Sequence, residues 1–141
     1  MKIKEVHVLR IPEDEELVKY IVDFARKNEI RCASVSVIGA LKNAVIGYYS
    51  PSEKRYIKKS VDGQCEILCG SGNISWKEGI EPFLHLHITL GSEDFTVTGG
   101  HLIKGLVFVA EVIIHEYDGR CPRQKVGNLY LWRSDTNPFS P

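Results

Sequence analysis

The chain has 141 residues, and eighteen Lys and Arg balance eighteen Asp and Glu, so its formal net charge is zero. That length is one ordinary domain able to bury a core without disulfides, and the zero balance excludes the uniform positive field with which a protein coats nucleic acid by charge alone. At 43% hydrophobic and 26% charged residues, the composition is that of a soluble globular domain rather than a disordered, collagen-like or membrane chain.

The N-terminal residues Met1-Lys2-Ile3-Lys4-Glu5-Val6 hold no apolar stretch of signal-peptide length, and no run nears the ~20 apolar residues of a membrane helix. The expected location is the cytoplasm, with no membrane partner. Residues 2–10, with Ile3, Val6, Val8 and Leu9, read as a first strand ended ahead of Pro12. A helix of about four turns follows. Its first turn is expected to carry Glu13, Asp14, Glu15 and Glu16, and its last turn Arg26 and Lys27, an arrangement that complements the helix dipole at both ends. Asn28 sits where a left-handed C-terminal residue belongs. Leu17, Ile21, Phe24 and Ala25 recur at helical spacing and give one apolar stripe.

Beyond the helix the pattern is β. Residues 30–38, 44–49, 55–61, 65–74, 83–90, 95–98 and 106–116 are short apolar or β-branched runs. They are punctuated by turn signals such as Gly39, Ser50-Pro51-Ser52, Asp62-Gly63, Gly91-Ser92-Glu93-Asp94 and Gly99-Gly100. Turns this frequent join antiparallel neighbours, because a parallel crossover needs a dozen or more residues. The expected fold class is α+β: a largely antiparallel central sheet with one principal helix packed on it, in a single domain over residues 1–132. Residues 133–141 form a polar C-terminal tail.

Cys32, Cys65, Cys69 and Cys121 are read as free thiols on the expectation of a reducing compartment. The C-x-x-x-C spacing of Cys65 and Cys69 has no second pair to complete a thiolate zinc site.

The most informative feature is a group of three histidines within seventeen residues: His85, His87 and His101. In Phe83-Leu84-His85-Leu86-His87-Ile88 the imidazoles alternate with aliphatic residues, and i, i+2 positions of a strand share a face at ~6.6–6.8 Å. If Leu90 faces Phe95 across the following turn, His101 lies level with Leu84 and on the wrong face. One extra residue absorbed at Gly99-Gly100 would bring it to the His85/His87 face. Three neutral imidazoles and an open position suit zinc, with affinity falling as pH drops through ~6.5. His7 and His115 stand alone on apolar runs and are read as structural. Glu66 and Glu111, acids inside apolar strands, are the candidates for a partner of a ligand histidine or for a general base.

Gly39-Ala40-Leu41, Gly47-Tyr48-Tyr49, Cys65-Glu66-Ile67-Leu68, Gly72-Asn73-Ile74, His85-Leu86-His87, Gly99-Gly100-His101-Leu102 and Val109-Ala110-Glu111-Val112 together resemble, in order and spacing, the PPC ("plants and prokaryotes conserved") domain from about Arg10 to about Glu116. The resemblance implies a homotrimer built on a central antiparallel sheet. In prokaryotic members it associates the pattern matched by His85, His87 and His101 with a bound metal, taken to be zinc. Plant members join the domain to Arg-Gly-Arg-Pro AT-hooks. This sequence has none, Gly119-Arg120-Cys121-Pro122-Arg123 being a distant echo, so a DNA role is an analogy of fold. Lys54, Arg55, Lys58 and Lys59 are the one local basic cluster considered for DNA, and binding is expected to be weak.

Two functions follow as expectations: a zinc-binding homotrimer with a DNA-associated or regulatory role, or a small metal-dependent enzyme using the open coordination position. No nucleophile elbow, phosphate-cradling loop or dinucleotide fingerprint is present.

Overall fold

The computed structural model describes residues 1–133. The elements are β1 (Ile3–Ile11), α1 (Leu17–Lys27), β2 (Ala33–Ser50), β3 (Arg55–Val61), β4 (Cys65–Lys77), β5 (Glu81–Gly91), β6 (Val97–Tyr117), β7 (Pro122–Val126) and β8 (Leu129–Trp132). All but residue 133 of the proposed tail lies outside the described residues. Among the described residues, no helix is long and apolar enough to cross a membrane.

The strands form one sheet in the order β3-β2-β6-β5-β4-β7-β8, with β1 on the far half of β6 and a further pairing of β2 with β4. That pairing closes β2, β6, β5 and β4 into a ring. β2 serves two neighbours in turn, because residues 33–41 pair with β4 and residues 44–50 pair with β3. Among the described residues all strand pairs are antiparallel except the short β4–β7 contact, so the expected mostly antiparallel sheet with one helix is what they form.

Alternation along the strands places Leu84, Leu86, Ile88 and Leu90 in the core with Val35, Val37, Val107, Val112 and Ile114. The helix lays Leu17, Ile21 and Ala25, each 0% exposed, into the same core. Its N-terminus is shorter than expected. Asp14 has φ 69° and bonds through its N–H to the Val107 carbonyl at 2.9 Å, so the acidic run stays outside the helix. Glu16 is the N-cap, its carboxylate accepting from the N–H groups of Val18 and Lys19 at 3.1 and 2.8 Å and of Gly105 at 3.0 Å. At the other end Asn28 has φ −100°, and Glu29 takes the left-handed conformation at φ 52°.

Two expected turns are bends inside continuous strands. From Ala33 onward, residues 30–38 and 44–49 belong to one strand, β2, and from Val97 onward residues 95–98 and 106–116 belong to another, β6. Gly39, at φ 138°, sits where the pairing with β4 shifts register, and a Cβ there would meet the Val109 carbonyl oxygen at 2.1 Å. Its glycine marks a close strand approach rather than a chain reversal. The hairpin of β7 and β8 was not anticipated.

The reading of four free thiols is corrected. Cys32 and Cys121 form a disulfide across 89 residues of sequence, with Cα atoms 5.2 Å apart, while Cys65 is free and buried and Cys69 free and exposed. Compartment chemistry sets a default for thiols. The fold overrides it by bringing the segment before β7 onto the residue before β2.

Candidate metal centre

The β5–β6 hairpin decides whether the histidines meet. Ser92 bonds through its N–H to the Thr96 carbonyl at 3.0 Å and Phe95 to the Ser92 carbonyl at 2.9 Å, while the Asp94 carboxylate accepts from the Ser92 and Thr96 hydroxyls. These bonds draw Phe95 and Thr96 into the loop, with Phe95 at φ 62° and 92% exposed. Leu90 therefore pairs with Thr98, not Phe95, and His87 lies directly opposite His101 in an unbroken register. The expected bulge at Gly99-Gly100 is absent from this pair. A longer turn does its work.

His85, His87 and His101 thus stand on the sheet face opposite the helix, with ring centroids 5.0, 5.3 and 5.8 Å apart. Each offers a ring nitrogen, and these lie within 4.8 Å of one another. Gly72, beside His85 on β4, keeps the two strands close, since a Cβ there would meet the His85 carbonyl oxygen at 2.0 Å. Tyr56 of β3 packs its ring on His101 at 5.2 Å. The Nδ1 of His101 is buried and has no hydrogen-bond partner among the described residues. Burial, then the positive charge of Arg123, then the other two imidazoles push the His85 pKa from 6.5 to about 4. Burial and then His87 push that of His101 down as well. Rings held neutral are the ligand form.

β7 and β8 wall the site. A cavity of about 380 Å³ is lined by all three histidines together with Tyr49, Tyr56, Phe83, Arg123, Asn128, Leu129, Tyr130 and Leu131. Arg123 is 5% exposed. Its Nε donates to Ser75 Oγ at 2.5 Å, one terminal nitrogen to the Tyr130 carbonyl at 2.8 Å and the other to Asn73 Oδ1 at 2.7 Å. Asn73 and Ser75 face His85 and Phe83 across the β4–β5 pairing, so the same strand register that aligns the histidines aims the arginine's supports.

The two acids singled out from the sequence are elsewhere. Glu66 is exposed and lines a different hollow with Phe95 and Phe108, and Glu111 is exposed in the groove between β1 and β2. His7 is structural as expected. Its Nε2 lies 3.1 Å from the Glu116 carboxylate, which also holds Lys4 at 2.6 Å, and its ring meets Phe24 edge-on at 5.4 Å. Glu5 joins His7 and Glu116 in a second group with ligand geometry, in which Lys4 already holds the Glu116 carboxylate.

With the fold and the three histidines placed, comparison with known proteins is decisive. The family model of the Plants and Prokaryotes Conserved (PCC) domain matches residues 1–118. The chain belongs to this family. Among solved PCC-like structures, a plant- and prokaryote-conserved protein from Pyrococcus horikoshii is 38% identical, with a TM-score of 0.89, over 96% of this chain and 95% of that one. A metal-containing protein from Archaeoglobus fulgidus is 37% identical, with a TM-score of 0.87, over 94% and 96%. A candidate DNA-binding protein from Bacteroides thetaiotaomicron is 28% identical, with a TM-score of 0.88, over 96% of both chains. Among curated proteins, none matches the sequence.

Sequence reasoning missed Arg123, Tyr56 and the β7–β8 wall. The PCC match ends before Arg123, and in the sequence the residue stands only in the distant echo of an AT-hook. Its one local signal is the neighbouring Cys121, whose partner is 89 residues away.

Proposed function

We propose that the chain is a metal-binding PCC protein in which His85, His87 and His101 hold one zinc ion per chain. The observation that carries this reading is the convergence of three imidazoles on one face, with the buried Nδ1 of His101 left without a partner among the described residues. An orphaned buried nitrogen costs stability unless something occupies it, and an all-imidazole donor set suits zinc. The metal-containing Archaeoglobus protein supports the assignment by similarity. When bound, zinc would supply positive charge and a Lewis-acid position. The chain's own contribution is to hold three neutral rings in place from two strands. The test is metal content after dialysis of the protein and of the His85→Ala, His87→Ala and His101→Ala variants, all of which should fold. We expect about one zinc per parent chain and loss of most of it in each variant. Unchanged content in all three would end the reading.

The assembly proposed is a homotrimer. A groove of about 420 Å³ between β1, β2 and β6 is lined by Val8, Val37, Ile38, Val112 and Ile113, and Val8 and Ile38 are 76% and 55% exposed. A second copy covering this apolar face would remove it from water. A DNA-associated role is proposed by similarity to the Bacteroides protein, as a weak activity. Lys58 and Lys59 are consecutive on β3 and point to opposite faces, and Arg55 is paired with Glu53, so the basic cluster is divided. The cavity beside the histidines favours a second reading, a small metal-dependent enzyme, in which neither Glu66 nor Glu111 is placed to act as general base.

A further inference from the structure

Arg123 is the one charged side chain that the cavity and the core share. A guanidinium carries five N–H donors. Three are engaged by Ser75, Asn73 and Tyr130, all neutral acceptors. Among the described residues no carboxylate pairs with it, and no Asp or Glu lines the cavity. The Phe83 and Trp132 rings lie 5.0 and 5.4 Å from the guanidinium, but an aromatic face is no full counter-charge, and a buried cation without one is costly. A divalent metal on the histidines would add two more positive charges to the same cavity. The rest of the wall is largely aromatic and aliphatic, with Phe83, Leu129 and Leu131. A positive interior with unspent donors and an apolar lining matches one ligand chemistry: an anion with a short carbon skeleton.

We propose that this cavity binds a small carboxylate, whose oxygens meet the Arg123 guanidinium and the metal held by His85, His87 and His101 together. The inference rests on the metal reading and gives it a ligand class. Asn73 and Ser75 are then positioning residues, fixing the guanidinium plane so that its remaining N–H groups serve the ligand. A neutral ligand would leave the charge uncompensated, and a phosphate would leave the apolar wall without a partner.

The experiment uses the full chain loaded with Co²⁺ in place of zinc, because the visible bands of cobalt respond to an anion entering its coordination sphere. Acetate, its neutral isostere acetamide and inorganic phosphate are titrated separately. We expect acetate to shift the spectrum saturably, acetamide to have no effect, and phosphate to bind more weakly than acetate. Arg123→Met should keep the parent's cobalt stoichiometry and weaken acetate at least about tenfold, with Arg123→Lys between the two. Equal acetate affinity in parent and Arg123→Met, both loaded with cobalt, overturns the proposal. So does equal response to acetate and acetamide in the parent, which decides the matter even where Arg123→Met fails to fold. Tighter binding of phosphate than of acetate overturns the carboxylate class. A parent chain that takes up no cobalt defeats the metal reading itself, a result distinct from a loaded protein that ignores anions.

Discussion

His85 and His101 are held in environments that resist protonation, and this links the site to stability. Burial leads the causes for both, lowering His85 from 6.5 to about 4 and His101 in the same direction. The unfolded chain therefore takes up protons on these rings before the folded one does. The share of folding stability that these two rings govern in the metal-free protein is full above about pH 6.5 and is lost as pH falls toward about 4. The carboxylates with lowered pKa values, Asp23 and Asp94, begin to act only below 3.8, so the window between belongs to the imidazoles. Urea unfolding of the chelated protein at pH 7.5, 5.5 and 4.5 should show a declining midpoint, and His85→Asn should flatten the decline. A midpoint independent of pH across that range would contradict the burial of these rings. The identity of the three histidines was legible from i, i+2 spacing and the family pattern. Their register was not, because it depends on side-chain hydrogen bonds of Asp94 that pull Phe95 out of the strand. Arg123 was illegible for a different reason. Its role comes from a long-range fold contact, and its one local signal, Cys121, says nothing until its partner 89 residues away is known.

At the scale of elements, periodicity found the helix stripe and most strand segments, but punctuation misled. Glycines taken for turns, such as Gly39, are places where two backbones touch, and only the partner strand reveals that. The acidic run before α1 shows the same limit. Four acids were assigned to the first turn on dipole grounds, yet one of them, Glu16, carries the cap, with three backbone N–H groups converging on its carboxylate. Glu16→Ala removes acceptors from two helix donors and from the Gly105 N–H of β6. It should destabilise the protein by about 1–2 kcal/mol, whereas Glu15→Ala should be close to neutral. Thermal unfolding of the two variants compares them directly, and equal effects would remove the special place given to Glu16.

For the whole molecule, the exposed groove of Val8, Ile38 and Ile113 sets the assembly prediction. Light scattering should return a mass near three times 15.9 kDa, and a polar substitution such as Ile38→Asp should lower it. A parent mass of one chain would exclude the trimer. The same balance of charge governs DNA. With no net charge and a divided basic cluster, affinity for duplex DNA should be modest and should fall with salt along a shallow slope. Tight binding at physiological salt would require a basic surface formed only on assembly.

The order of the chain separates two parts of the candidate site. The three histidines lie within the region common to the family, and the wall that faces them comes after residue 118, pinned back by Cys121. Donor set and wall are therefore separate stretches of the chain, tied together by one covalent link. A chain that kept the first 118 residues and changed the segment after Tyr117 would hold the three histidines on the same strands behind a different Arg123–Leu131 wall, so part of what faces these rings is written after the family match ends.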